Sequence, residues 1–219
     1  MNGRGMALLA AGLVSCAAGL LPGLPSYAAL PLCGAGALLL FLSAIEGRAI
    51  GAELLVMVAL LSALAAAGRM MFVPLANIQP SSFLILLSGM VLGGRAGIMT
   101  GVLTALLSGF TLGLGPYTPW QMLAWGLVGL SAGLLGRPLR RRVWLRLLLG
   151  AFWGYGFGAV TNLWFIGSGL AAGGTWLAAM AASFPFDTMH AASNVVFMLA
   201  LGGPMLRVLD RVAEKYGLR

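Results

Sequence analysis

Gly113-Leu114-Gly115-Pro116-Tyr117-Thr118-Pro119-Trp120-Gln121-Met122 stands between two long apolar runs, residues 96–112 and 119–136, and carries no charge. Two glycines and two prolines prevent a regular helix through it, so it is a turn. An apolar run, an uncharged turn and a second apolar run read as a helical hairpin in lipid. A plain connector needs few specific side chains, yet this one carries tyrosine, threonine, tryptophan and glutamine. The turn therefore reads as part of a ligand site at a membrane surface.

The rest of the chain supports the membrane reading. Of 219 residues, 60% are hydrophobic and 8% are charged. Soluble domains carry roughly 25% charged residues, and 8% cannot cover a globular surface. The solvent around most of the chain is lipid, which makes it one integral membrane domain. The net charge of +8 is no argument for nucleic acid, because the basic residues cluster between apolar spans. Cys16 and Cys33 lie inside apolar segments and have no metal-ligand spacing.

Eight runs are candidate spans: 6–21, 28–45, 52–68, 80–94, 96–112, 119–136, 143–166 and 176–206. The last is long and is expected to begin with a loop or short interfacial helix, crossing from about residue 186. In lipid each segment satisfies its own backbone, so the expected fold is all-α, a polytopic transmembrane helix bundle. With residue 1 in the cytoplasm, Arg4, Arg48, Arg95, Arg137, Arg140, Arg141, Arg142, Arg146, Arg207, Arg211, Lys215 and Arg219 lie inside, and only Arg69 outside. This positive-inside bias puts both termini in the cytoplasm. It puts the opening turn and the loops 69–79 and 167–175 on the external side. Arg4, the run 6–21 and Ser26-Tyr27-Ala28 also resemble a signal peptide with a small-residue cleavage site. Cleavage would leave the orientation of the later spans unchanged.

Missing motifs narrow the function. The only lysine is Lys215, so the chain has no P-loop. There is no Gly-x-Ser-x-Gly and no His-Glu-x-x-His, and a single histidine, His190, excludes a multi-histidine metal site. No catalytic residues and no cofactor are expected. If ATP drives transport, a partner binds it.

Several polar groups interrupt the spans. Arg69, Asn77 and Gln79 precede Pro80, which suits the first turn of a helix. They read as a lid loop with an anion-binding arginine and amide donors, or as a solvated turn with a snorkelling arginine. Gln121 and Trp125, four apart, share a helix face behind Tyr117 and Trp120. Tyr155, Asn162 and Trp164 sit in the seventh span, where an asparagine needs a partner or a ligand. Asp187, His190 and Asn194 are spaced by three and four and line one face. They bind a substrate's polar groups, relay protons, or form a satisfied structural pair. Pro185 reads as first-turn proline with Asp187 just inside a helix start. Ala59, Ala63 and Ala67 recur every four residues, a spacing that permits close helix approach. Spacing alone favours packing inside the bundle.

In combination these motifs carry a family resemblance. Gly68-Arg69 through Asn77-Ile78-Gln79-Pro80, then Gly113 through Trp125-Gly-Leu-Val-Gly129, then Pro185-Phe-Asp-Thr-Met-His-Ala-Ala-Ser-Asn194, resemble the S component of energy-coupling factor (ECF) vitamin transporters, over roughly residues 52–206. The resemblance implies a six-helix core that binds a vitamin from outside and works with a transmembrane T component and two ATPase subunits in a prokaryotic cell membrane. It implies that Ala59, Ala63 and Ala67 dock on the T component. It places the substrate among Arg69, Asn77, Gln79, Tyr117, Trp120, Gln121, Trp125, Asn162, Trp164, Asp187, His190 and Asn194. The cobalamin-associated subgroup is the nearest likeness, with folate, pantothenate and other precursors as rivals. Residues 1–51 depart from the six-helix pattern as two extra spans, and 207–219 read as a basic cytoplasmic tail. The rival readings are a stand-alone proton-coupled transporter using Asp187 and His190, and an intramembrane enzyme using them as acid and base.

Overall fold

The computed structural model describes residues 3–19, 21, 23–46, 50–167 and 176–218. These residues form an all-α bundle. Helices α1 (Gly3–Gly19) and α2 (Ser26–Ile45) pack on each other as a hairpin. The bundle continues through α3 (Ala52–Met71), α4 (Ser81–Leu92), α5 (Gly94–Leu112), α6 (Thr118–Leu134), α7 (Gly136–Arg141), α8 (Val143–Gly167), α9 (Trp176–Ala200) and α10 (Gly202–Lys215).

The short helix α4 sits at the centre, packed by α3, α5, α6, α7, α8, α9 and α10. All twelve of its residues are buried. Twelve residues rise about 18 Å, well short of a hydrocarbon core of about 30 Å. Its neighbours shield it from lipid, so it need not match the bilayer. Its serines must find partners inside the protein, and they do. Ser81 Oγ donates to the Ala65 carbonyl at 2.9 Å, and Ser88 and Thr100 share a bond of 2.7 Å.

The eight apolar runs all become helices, but not all are full crossings. By length and composition α3, α5 and residues 143–164 of α8 can cross alone. The α9–α10 pair passes only together, bent by 65°. Helices α1, α2 and α4 contribute shorter apolar stretches.

Small residues set the packing. Lipid tails are as apolar as leucine, so helix association rests on close contact rather than on hydrophobic transfer. Gly97 and Gly101 of α5 lie against the backbone of Gly129 and Trp125 of α6, where an added Cβ would overlap main-chain atoms. Between α4 and α5 the chain reverses through the single residue Gly93, at φ +92°, a conformation that favours glycine.

The last segment differs from its sequence reading. It does not begin as a loop. Trp176–Ala200 is one helix with Pro185 inside it. A proline removes one backbone donor, and neighbouring helices make that tolerable in a membrane bundle. Residues 207–215, read as a tail, belong to α10. It turns Leu206, Leu209 and Ala213 inward and Arg207, Arg211 and Lys215 outward. The short helix α7 was not foreseen.

Gly129→Val should lower stability in detergent by about 1–3 kcal/mol through overpacking. Gly3→Ala, whose new Cβ meets nothing within 4 Å, should leave it unchanged. Thermal unfolding followed by circular dichroism checks both.

Candidate functional site

Arg69 lies in the last turn of α3, not in a loop as its sequence suggested. Nothing before Pro74 breaks the helix, and the Phe72 amide still donates to Gly68. The arginine points into the bundle. Its Nη1 donates to Ser108 Oγ of α5 at 2.7 Å and, more weakly, to Gln121 Oε1 of α6 at 3.5 Å. Its Cζ lies 5.0 Å from the centre of a Trp125 ring, within cation–π range.

The network continues through Trp125. Its indole Nε1 donates to Ser82 Oγ at 3.0 Å, and Ser82 Oγ lies 2.9 Å from His190 Nε2. An indole nitrogen only donates, so Ser82 accepts from it, and the direction of the Ser82–His190 bond follows the histidine's tautomer. The other ring nitrogen, Nδ1, is buried and has no partner among the described residues. Phe157 of α8 closes the site, 4.8 Å from Trp125 and 5.3 Å from His190 between ring centres. One connected set therefore ties α3, α4, α5, α6 and α9 together.

Beside it runs the loop from Phe72 to Pro80. Ala76 and Asn77 have φ of +26° and +70°, and asparagine is among the residues that tolerate this region. Asn77 Nδ2 donates to the Phe186 carbonyl at 3.0 Å, and Gln79 Nε2 donates to Asn77 Oδ1 at 3.1 Å. Ser193 of α9 accepts from the Gln79 amide at 2.9 Å and donates to its carbonyl at 3.0 Å. Arg69, Asn77 and Gln79 then line one cavity of about 160 Å³, with Phe72, Ile78 and Leu112.

The other sequence-predicted residues fall elsewhere. Tyr117 donates to the Gly113 carbonyl at 2.8 Å, and its ring covers Gly115, so it holds the turn. Trp120 packs with Ala29 and Cys33 of α2 and with Trp164. The N-terminal hairpin covers it. Asp187 rests against Gly158 and accepts from Ser183 at 2.7 Å, and Ser183 accepts from Asn162 at 2.7 Å. Asp187 and His190 thus belong to separate networks among the described residues. Asn194 Nδ2 donates to the Gly150 carbonyl of α8 at 3.0 Å, while its buried Oδ1 has no partner among the described residues. The loop 167–175 falls almost wholly in 168–175, outside the described residues. Ala59 and Ala63 are exposed and Ala67 is half-buried. They share the outer face of α3 with exposed Leu55, Leu60 and Leu64, so this face is not spent on packing within the chain.

Sequence reasoning missed Ser82, Ser108, Ser183, Ser193 and Phe157. Serine and phenylalanine are ordinary in membrane helices, and no spacing in the sequence marks these particular ones.

A family model described as "ECF transporter, substrate-specific component" matches residues 53–202. No curated protein and no solved structure matches the chain.

Ser193→Ala leaves both backbone groups of Gln79 without their partner, at a cost of about 1–3 kcal/mol. Hydrogen exchange should accelerate locally across residues 72–80 and stay unchanged in α5 and α6.

Proposed function

The chain belongs to the family of ECF transporter substrate-specific components, and from that membership we propose that the Arg69 network and its cavity capture a vitamin-class molecule. The chain is the substrate-binding subunit of an ECF importer, and ATP hydrolysis falls to its partners. The arginine distribution supports external capture, with both termini on the cytoplasmic side of the cell membrane. The family match supports reading residues 52–206 as the capture core, with 1–51 as an added N-terminal pair.

The observation that carries this reading is the position of Arg69. A guanidinium has five donors, and only two acceptors engage it among the described residues. Arg69 also lines a cavity together with Asn77 and Gln79. A carboxylate or carbonyl-rich end of a ligand suits that set. A cavity of about 160 Å³ is below the roughly 300 Å³ of small-ligand sites. Pantothenate or another small precursor needs the 72–80 loop to yield a little. A corrinoid, the ligand that the resemblance favours, needs it displaced. Its tethers to α9 are three hydrogen bonds, one through Asn77 and two through Ser193, that a ligand has to replace.

Delivery follows docking of a T component on the Ala59, Ala63 and Ala67 face. Helix α3 packs on α4 and α5, whereas α2 packs on α5, α6 and α8. The N-terminal hairpin therefore leaves the alanine face uncovered. A proton-coupled carrier through Asp187 and His190 is the weaker reading, because no hydrogen bond links the two.

Calorimetry on the purified chain should find one of cobalamin, folate, pantothenate or a related precursor bound at about micromolar or tighter. Arg69→Ala should weaken it at least tenfold, about 1.4 kcal/mol. No binding by any of them contradicts capture. Ala63→Trp should leave that affinity intact and abolish copurification with the T component and ATPases.

A further inference from the structure

At the other end of α4 from Ser82, α7, the start of α8 and α10 line an open cavity of about 1010 Å³. Five arginines line it, Arg137, Arg140, Arg141, Arg146 and Arg207, with one aspartate, Asp210. Asp210 is engaged by Arg140 at 2.8 Å. Arg146 is 8% exposed, and its Nε has no partner among the described residues. A topology signal accounts for arginines near this end of the bundle. It does not account for a large cavity, nor for burying a guanidinium in its wall with an unused donor.

The complement of that wall is an anion with several acceptor oxygens. Phosphate fits, since the planar guanidinium fork matches its geometry. The surroundings favour a lipid as its source. On the other side of α7 lies an apolar groove of about 270 Å³, lined by Leu135, Leu139, Leu145, Leu149 and Phe152. Helix α7 thus presents arginines to one depression and apolar side chains to the next. Basic pockets between transmembrane helices at headgroup depth are suited to anionic lipids.

We propose that this cavity binds a phosphate group carried by an anionic phospholipid, with Arg146 as its most buried donor and an acyl chain against the groove beyond α7. This site is separate from the capture cavity and does not depend on that reading. The full chain in detergent is titrated with phosphatidylglycerol, phosphatidylcholine or inorganic phosphate, and adducts are counted by native mass spectrometry. The expected result is saturable retention of phosphatidylglycerol, at least fivefold above phosphatidylcholine. Arg146→Gln and the exposed pair Arg137→Gln/Arg141→Gln should each reduce it at least fivefold. Arg211→Gln, outside the cavity, should not. Equal retention of the two lipids, or loss with Arg211→Gln alone, overturns the proposal. So does inorganic phosphate binding that depends on Arg146 and that lipid does not displace.

Discussion

A guanidinium among apolar helices has to be given acceptors and a π face inside the protein, because lipid offers neither. Arg69 sets that requirement here, and the bundle is arranged around meeting it. Ser108, Gln121 and Trp125 come from two helices to satisfy it. Trp125 in turn fixes Ser82, and Ser82 fixes His190. The short, fully buried α4 exists at the junction of these bonds. Its neighbours must approach closely to reach it, which is why glycines line the α5–α6 contact.

The helical class and the order of the helices were legible because apolar runs and Gly/Pro turns act locally. Arg69, Gln121 and Trp125 each stood out for a similar reason, since each breaks an apolar pattern next to a span end, but the sequence placed Arg69 in a loop apart from the other two. Asp187 and His190 were not. Their spacing puts them near one face of α9, but Asp187 is held by Ser183 of the same helix, itself bonded by Asn162 of α8, whereas His190 meets Ser82 of α4. Trp120 was misleading in the same way. Its turn-side position suggested a ligand wall, and helix α2, far away in sequence, covers it. Pro185 suggested a helix start, although tertiary packing carries α9 through it.

The N-terminal hairpin lies outside the family match but is fastened to the core. Arg95 of α5 donates to the carbonyls of Ala44, Ile45 and Glu46, at 2.6, 2.9 and 3.3 Å. A cation placed on the open carbonyls of a helix C-terminus satisfies them and suits the helix dipole. The hairpin outside the family match thus packs mainly on α5, α6 and α8, and the outer face of α3 stays exposed among the described residues. The two ends of the bundle then differ in chemistry. One holds a single arginine over a small polar cavity, and the other holds five arginines around a large one.

The Arg69 network is proposed to face the substrate. Its most direct test is mass spectrometry of the small molecules that copurify with the chain expressed in a prokaryotic host. The account predicts a vitamin-class ligand on the native chain, and its absence from an Arg69→Ala chain that still folds. The same ligand retained equally by both chains would contradict it.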